Sequence, residues 1–125
     1  PDLRGEIFQL LRDLRTIEKP LARLQVLTAI GLLDPLEGAL SLRDMASDRA
    51  LAPGTRLRAA NAMAGLRSDY RDRAAATAKE LAHDEAVPRH IRIKAARALA
   101  RWSEPCRADA RTLLIELAAS SRIAY

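Results

Sequence analysis

Few side chains in this sequence could do chemistry, and their spacing limits what that chemistry could be. Cys106 is the only cysteine. It follows Pro105 in what reads as the first turn of a last helix, where the positive end of the peptide dipoles favours a thiolate. No histidine lies near it in sequence to act as a base. The expectation is a packing residue, not a nucleophile. His83 and His90 bracket Asp84 and Glu85. A metal site needs three or four ligands in defined geometry, and the pair lacks the spacing that sets two imidazoles on one helix face. The expectation is a last-turn His83 facing helix carbonyls and a solvated His90, with no metal and no cofactor. A third group has more to offer. His90, Lys94, Arg97 and Arg101 are spaced by four, three and four, which puts them on one face of a helix. Such a stripe can meet phosphates or an acidic peptide. Its plainer reading is the solvated side of an amphipathic helix.

The charge balance permits either account. The formal net charge is +5 with 21 basic residues, of which only Lys19, Lys79 and Lys94 are lysine. The arginine excess suits recognition of carboxylate or phosphate by a planar guanidinium fork. It also accompanies the alanine excess expected of a GC-rich, bacterial genome. With one cysteine no intramolecular disulfide can form, which agrees with a reducing, cytoplasmic setting. No apolar run approaches the ~20 residues that span a bilayer, so no membrane partner is expected. The chain opens on Pro1 instead of Met, and it is expected to be part of a longer protein.

The elements that must position these residues read as helices throughout. Hydrophobic residues make up 49% of the chain and aromatics 3%, so the core must be built from Leu, Ile, Val and Ala. Seven helical segments can be drawn. The first, about 3–15, carries Ile7, Leu10, Leu11 and Leu14 at helical spacing. Pro20 opens the second, which runs to about Leu33 with Leu24, Leu27 and Ile30 as its stripe. Asp34-Pro35 is a cap and first-turn proline for a third, reaching about Ser47 and carrying Leu36, Leu40 and Met45. Pro53 starts the fourth, Ser68 or Asp69 caps the fifth, Pro88 opens the sixth, and Ser103-Glu104-Pro105 starts the seventh.

An internal repeat organises these segments. Displaced by 36 positions, Leu57 falls on Ile93, Arg58 on Lys94, and Ala59-Ala60 on Ala95-Ala96. Met63 falls on Leu99, Leu66 on Trp102, and Tyr70 on Cys106. Glu80-Leu81-Ala82 falls on Glu116-Leu117-Ala118. In the other direction Leu81, Ala82 and Asp84 fall on Met45, Ala46 and Asp48. Apolar positions persist while exposed ones drift. A repeat of this length holding two helices is the mark of a solenoid, whose units bury their apolar faces only by stacking. The expected fold is all-α: a right-handed α-α superhelix of about three antiparallel helix pairs plus one extra helix. It is one domain over 1–125, with units at about 3–33, 35–67 and 70–103 and a partial unit at 105–121.

These residues resemble the HEAT and HEAT-like (armadillo-type) helical repeats. Ile91-Arg92-Ile93-Lys94-Ala95-Ala96-Arg97-Ala98-Leu99 is similar to the family's second helix, and Thr55-Arg56-Leu57-Arg58-Ala59-Ala60-Asn61-Ala62-Met63 nearly as much so. Asp48 and Asp84 stand at the family's turn position. The resemblance implies that Asp48, Arg56, Asp84 and Arg92 are structural, linking neighbouring repeats by hydrogen bonds. The first unit departs from the pattern: Leu21-Ala22-Arg23-Leu24 lacks the Ala-Ala step, and Pro20 takes the Arg position. The resemblance also implies that the second helices line a concave surface, which places Arg58, His90, Lys94, Arg97 and Arg101 on it.

The functional expectation is a non-catalytic protein-protein interaction scaffold, with a protein as its partner. Self-association through open solenoid ends is a further expectation, because unpaired terminal repeats expose apolar surface. The alternative is a nucleic-acid-binding domain using the local Arg/Lys stripe, since some HEAT-like proteins bind DNA. The stripe is short: Arg97 corresponds to Asn61 and Arg101 to Gly65, so it does not continue across repeats. No glycine-rich phosphate loop, Ser-His-Asp set or paired carboxylates stand out, so no enzyme is expected.

Overall fold

The computed structural model describes residues 3–14 and 19–123, and among these every regular element is helical. The helices are α1 (Leu3–Leu14), α2 (Pro20–Leu33), α3 (Pro35–Ser47), α4 (Pro53–Leu66), α5 (Arg71–His83), α6 (Arg89–Trp102) and α7 (Arg107–Ile123). Prolines at the first helical position open α2, α3 and α4, where the missing N–H would have had no intrahelical partner. Asp34 caps α3 by accepting from the Glu37 amide at 3.2 Å. Two starts differ from the sequence expectation. Neither Ser68 nor Asp69 caps α5; a 3-10 turn over Ser68–Tyr70 leads into it, tied by the Tyr70 amide to the Arg67 carbonyl. Cys106 precedes α7 instead of lying in its first turn, and its carbonyl accepts from the Ala110 amide.

The core is alanine between a few large anchors. Ile30, Leu42, Met63, Leu81 and Leu99 are the largest fully buried side chains. Around them Ala59, Ala60, Ala74, Ala78, Ala95 and Ala96 are also fully buried, which lets helix backbones approach closely. Burial keeps the register of the sequence repeat. Leu27, Met63 and Leu99 are buried at successive displacements, as are Met45, Leu81 and Leu117. Glycine makes one approach closer still. A Cβ on Gly38 of α3 would collide with the Cα of Gly31 on α2 and lie 2.6 Å from its amide nitrogen.

Helices pack on their sequence neighbours. Every substantial helix contact joins elements one or two apart in the order, α2 with α4 and α4 with α6 among them. The apolar stripes drawn for α1 and α3 hold at Leu11 and Met45 and are corrected elsewhere by this packing; the Leu14 side chain lies outside the described residues. Ile7 and Leu10 are exposed, and α1 touches the core through Phe8 and Leu11. In α3 the buried face is Gly38, Ala39, Leu42, Met45 and Ala46, while Leu36 is 60% exposed. Polar ties hold α1 in place: the Arg4 guanidinium donates to the Leu33 carbonyl at 3.2 Å, and Arg12 meets Glu37 at 2.9 Å. No described helix is long and apolar enough to cross a membrane.

Candidate functional site

The two Ala-rich helices α4 and α6 turn their small residues inward, and this decides where their long cations go. On α6, Ala95, Ala96, Ala98, Leu99 and Trp102 are buried, leaving Lys94, Arg97 and Arg101 on the solvent side. On α4, burial of Ala59, Ala60, Met63 and Ala64 leaves Arg58 and Asn61 exposed. The two helices touch, and these exposed residues face one another across a groove of about 290 Å³. Leu57, Ala98 and Trp102 complete its lining. The structure therefore brings together four of the five residues singled out for this surface: Arg58, Lys94, Arg97 and Arg101. His90 is exposed in the first turn of α6 and takes no part in the lining.

The groove is positive and its charge is not neutralised from within. Among the described residues none of Arg58, Lys94, Arg97 and Arg101 has a carboxylate within ion-pair distance. No acidic side chain lines the groove. The Arg101 guanidinium lies 6.0 Å from the centroid of the Trp102 ring, at the outer limit of a cation–π contact. Like charges in a concavity reinforce one another's field, so an arriving anion meets the summed potential of four cations. Trp102, which replaces Leu66 in the repeat, lines the groove but is only 9% exposed.

The four residues named as structural behave differently from these. Arg56 is 6% exposed; its Nε donates to the Ala46 carbonyl at 2.8 Å, and its Nη2 lies 3.1 Å from Glu80 Oε1. Arg92 repeats the first bond, donating from Nε to the Ala82 carbonyl at 3.0 Å. Each arginine thus satisfies a last-turn carbonyl of the preceding helix, and Arg56 also reaches α5. Asp48 and Asp84 accept from the amides of Ala50 and Ala86, at 3.0 and 2.9 Å. These are bonds inside the turns, and they fix the turn between successive helices. The recurrence of Glu80 at Glu116 points to a structural or surface role, but spacing did not reveal its partners: it holds both Arg56 and Arg49, the latter at 3.3 Å.

The other chemical candidates have local roles. His83 Nδ1 lies 2.9 Å from the Lys79 carbonyl, and its Nε2 lies 3.3 Å from Asp109, tying α5 to α7. Among the described residues no group of three or more His, Cys, Asp or Glu could hold a metal ion. The half-buried Cys106 thiol has no hydrogen-bond partner among them. Comparison with known protein families, curated proteins and solved structures returned no match.

Proposed function

We propose that this chain is a HEAT-like α-solenoid and that it works as a non-catalytic interaction scaffold, docking a protein partner on the face where α4 and α6 meet. The observation that carries the reading is the open groove whose four cations have no carboxylate partner among the described residues. Cations that served only stability would be expected to behave as Arg56 does, turned inward onto carbonyl and carboxylate. Support for the repeat reading comes from contacts confined to near neighbours in the helix order. It comes also from paired features 36 residues apart: the Arg56 and Arg92 bonds, and the Asp48 and Asp84 turns.

Nucleic acid fits the same groove less well. Binding without base readout favours a cationic track and aromatic platforms for stacking. Here the cations give way to Asn61 and Gly65 on α4, and the single aromatic beside them is mostly buried.

The test is site-directed photo-crosslinking in cells that make the protein naturally. A benzophenone amino acid replaces Asn61, at the groove, or Arg111, exposed on α7. The expected result is a discrete protein adduct from position 61 that position 111 does not give and that Arg97→Glu removes. Equal adducts from both positions, or none from position 61, would overturn the scaffold reading.

A further inference from the structure

We propose that the groove between α4 and α6 takes an acidic segment of the partner: a short amphipathic helix whose carboxylates meet Lys94, Arg97 and Arg101 while an apolar side chain beside them reaches the lining at Leu57 and Trp102. The inference rests on the scaffold reading and narrows the chemistry of what is docked. Three observations support it. The first is charge complementarity: four cations line the groove and no acid does. The second is spacing. Lys94, Arg97 and Arg101 stand three and four residues apart on one helix, so their run spans about 10 Å of axial rise. A helix lying alongside α6 with glutamates at the same spacing presents carboxylates over the same length. The third is that the lining is not wholly polar. Leu57, Ala98 and Trp102 contribute to it, and a buried apolar anchor gives a peptide affinity that survives salt better than ion pairs alone. Arg58 closes the opposite side from α4 and sets the width.

Trp102 lines the groove and is the only tryptophan in the chain, so its fluorescence reports occupancy without a label. The titrants are a helical peptide with glutamates spaced by three and four residues and a leucine among them, its glutamine analogue, and a short single-stranded oligonucleotide. All are tested at low and physiological salt. The glutamate peptide is expected to change Trp102 emission saturably, and the glutamine analogue is not. Lys94→Glu with Arg97→Glu is expected to weaken binding at least ~10-fold, because reversing charges that face an acidic partner turns attraction into repulsion. Both side chains are exposed, and a circular dichroism spectrum like the parent's shows the variant folded. The milder Arg97→Gln is expected to fall between. No emission change with the glutamate peptide, while the crosslink from position 61 persists, overturns the acidic-segment inference and leaves the scaffold standing. Tighter, steeply salt-dependent binding of the oligonucleotide overturns both.

Discussion

Replacing Arg56 by alanine removes three interactions at once, and the structure gives each a size. The bond from its Nε to the Ala46 carbonyl, at 2.8 Å, is charge-assisted and buried, and contributes about 1.5 kcal/mol. The two methylenes lost from a side chain only 7% exposed contribute about as much again, roughly 1.5 kcal/mol. The ion pair with Glu80 adds less, about 0.5 kcal/mol, since Glu80 is 40% exposed and keeps Arg49 at 3.3 Å. The expected loss is therefore about 3.5 kcal/mol. Arg92 is the internal control. It makes the same carbonyl bond at 3.0 Å, has no carboxylate partner among the described residues and is only half-buried, so Arg92→Ala is expected to cost about 1.5 kcal/mol. Arg56→Met keeps the apolar stem and should recover roughly 1 kcal/mol of the larger loss. Urea unfolding followed by circular dichroism at constant slope measures all three. A cost for Arg56→Ala no larger than for Arg92→Ala would refute the claim that Arg56 joins α3, α4 and α5 where Arg92 makes only the simpler bond.

The other expectations concern close contact, caps and the exposed apolar residues. Gly38→Ala is expected to destabilise by about 2 kcal/mol or more in thermal melts despite alanine's better helix propensity, because its Cβ meets the rigid backbone of Gly31. For Gly31→Ala the nearest atoms belong to the Leu66 side chain, a methyl at 2.6 Å first among them, and that side chain can rotate away, so a change within about 1 kcal/mol is expected. Asp34→Ala removes the cap of α3 and is expected to cost about 1 kcal/mol by denaturant titration. Leu32, at 74% exposure, and Leu36 should accept glutamine with a stability change within about 0.5 kcal/mol, and a larger loss in the same titration would show that those faces are covered.

Helix existence and order were legible because the punctuation is strong and local. Pro20, Pro35 and Pro53 each mark a first turn, and the 36-residue displacement aligned Met63 with Leu99 before either was known to be buried. The solvent face of α6 was equally legible, since three- and four-residue spacing fixes a face without knowledge of neighbours. What spacing could not reveal is what that face looks across at. Arg58 joins Lys94 only because α4 and α6 touch, and His90 drops out because it sits a turn too early along α6. The faces of α1 and α3 were misread in part, for a related reason. Leu36 and Leu40 keep helical spacing, but Gly38 draws α3 onto Gly31 and settles which side goes inward. A count of apolar residues gives glycine no such weight. The turn aspartates stand in turns and bond differently from the expectation: Asp48 and Asp84 are two residues away from an amide that closes a local turn, and that amide is a nearer partner than any helix beyond.

Among the described residues, substantial contacts that join helices no more than two apart along the chain give the molecule a low contact order. Little chain must be closed into a loop before each new contact forms, so folding is expected to be fast and to proceed by accretion on whichever neighbours form first. The same geometry governs loss of structure. Helices such as α4, with partners on both sides, exchange their amides last, and opening spreads inward from helices held on one side only. If the helices stack as the proposed solenoid, load along it is expected to be met as a series of small yields, helix by helix, and a segment lying across α4 and α6 would clamp the series at its middle.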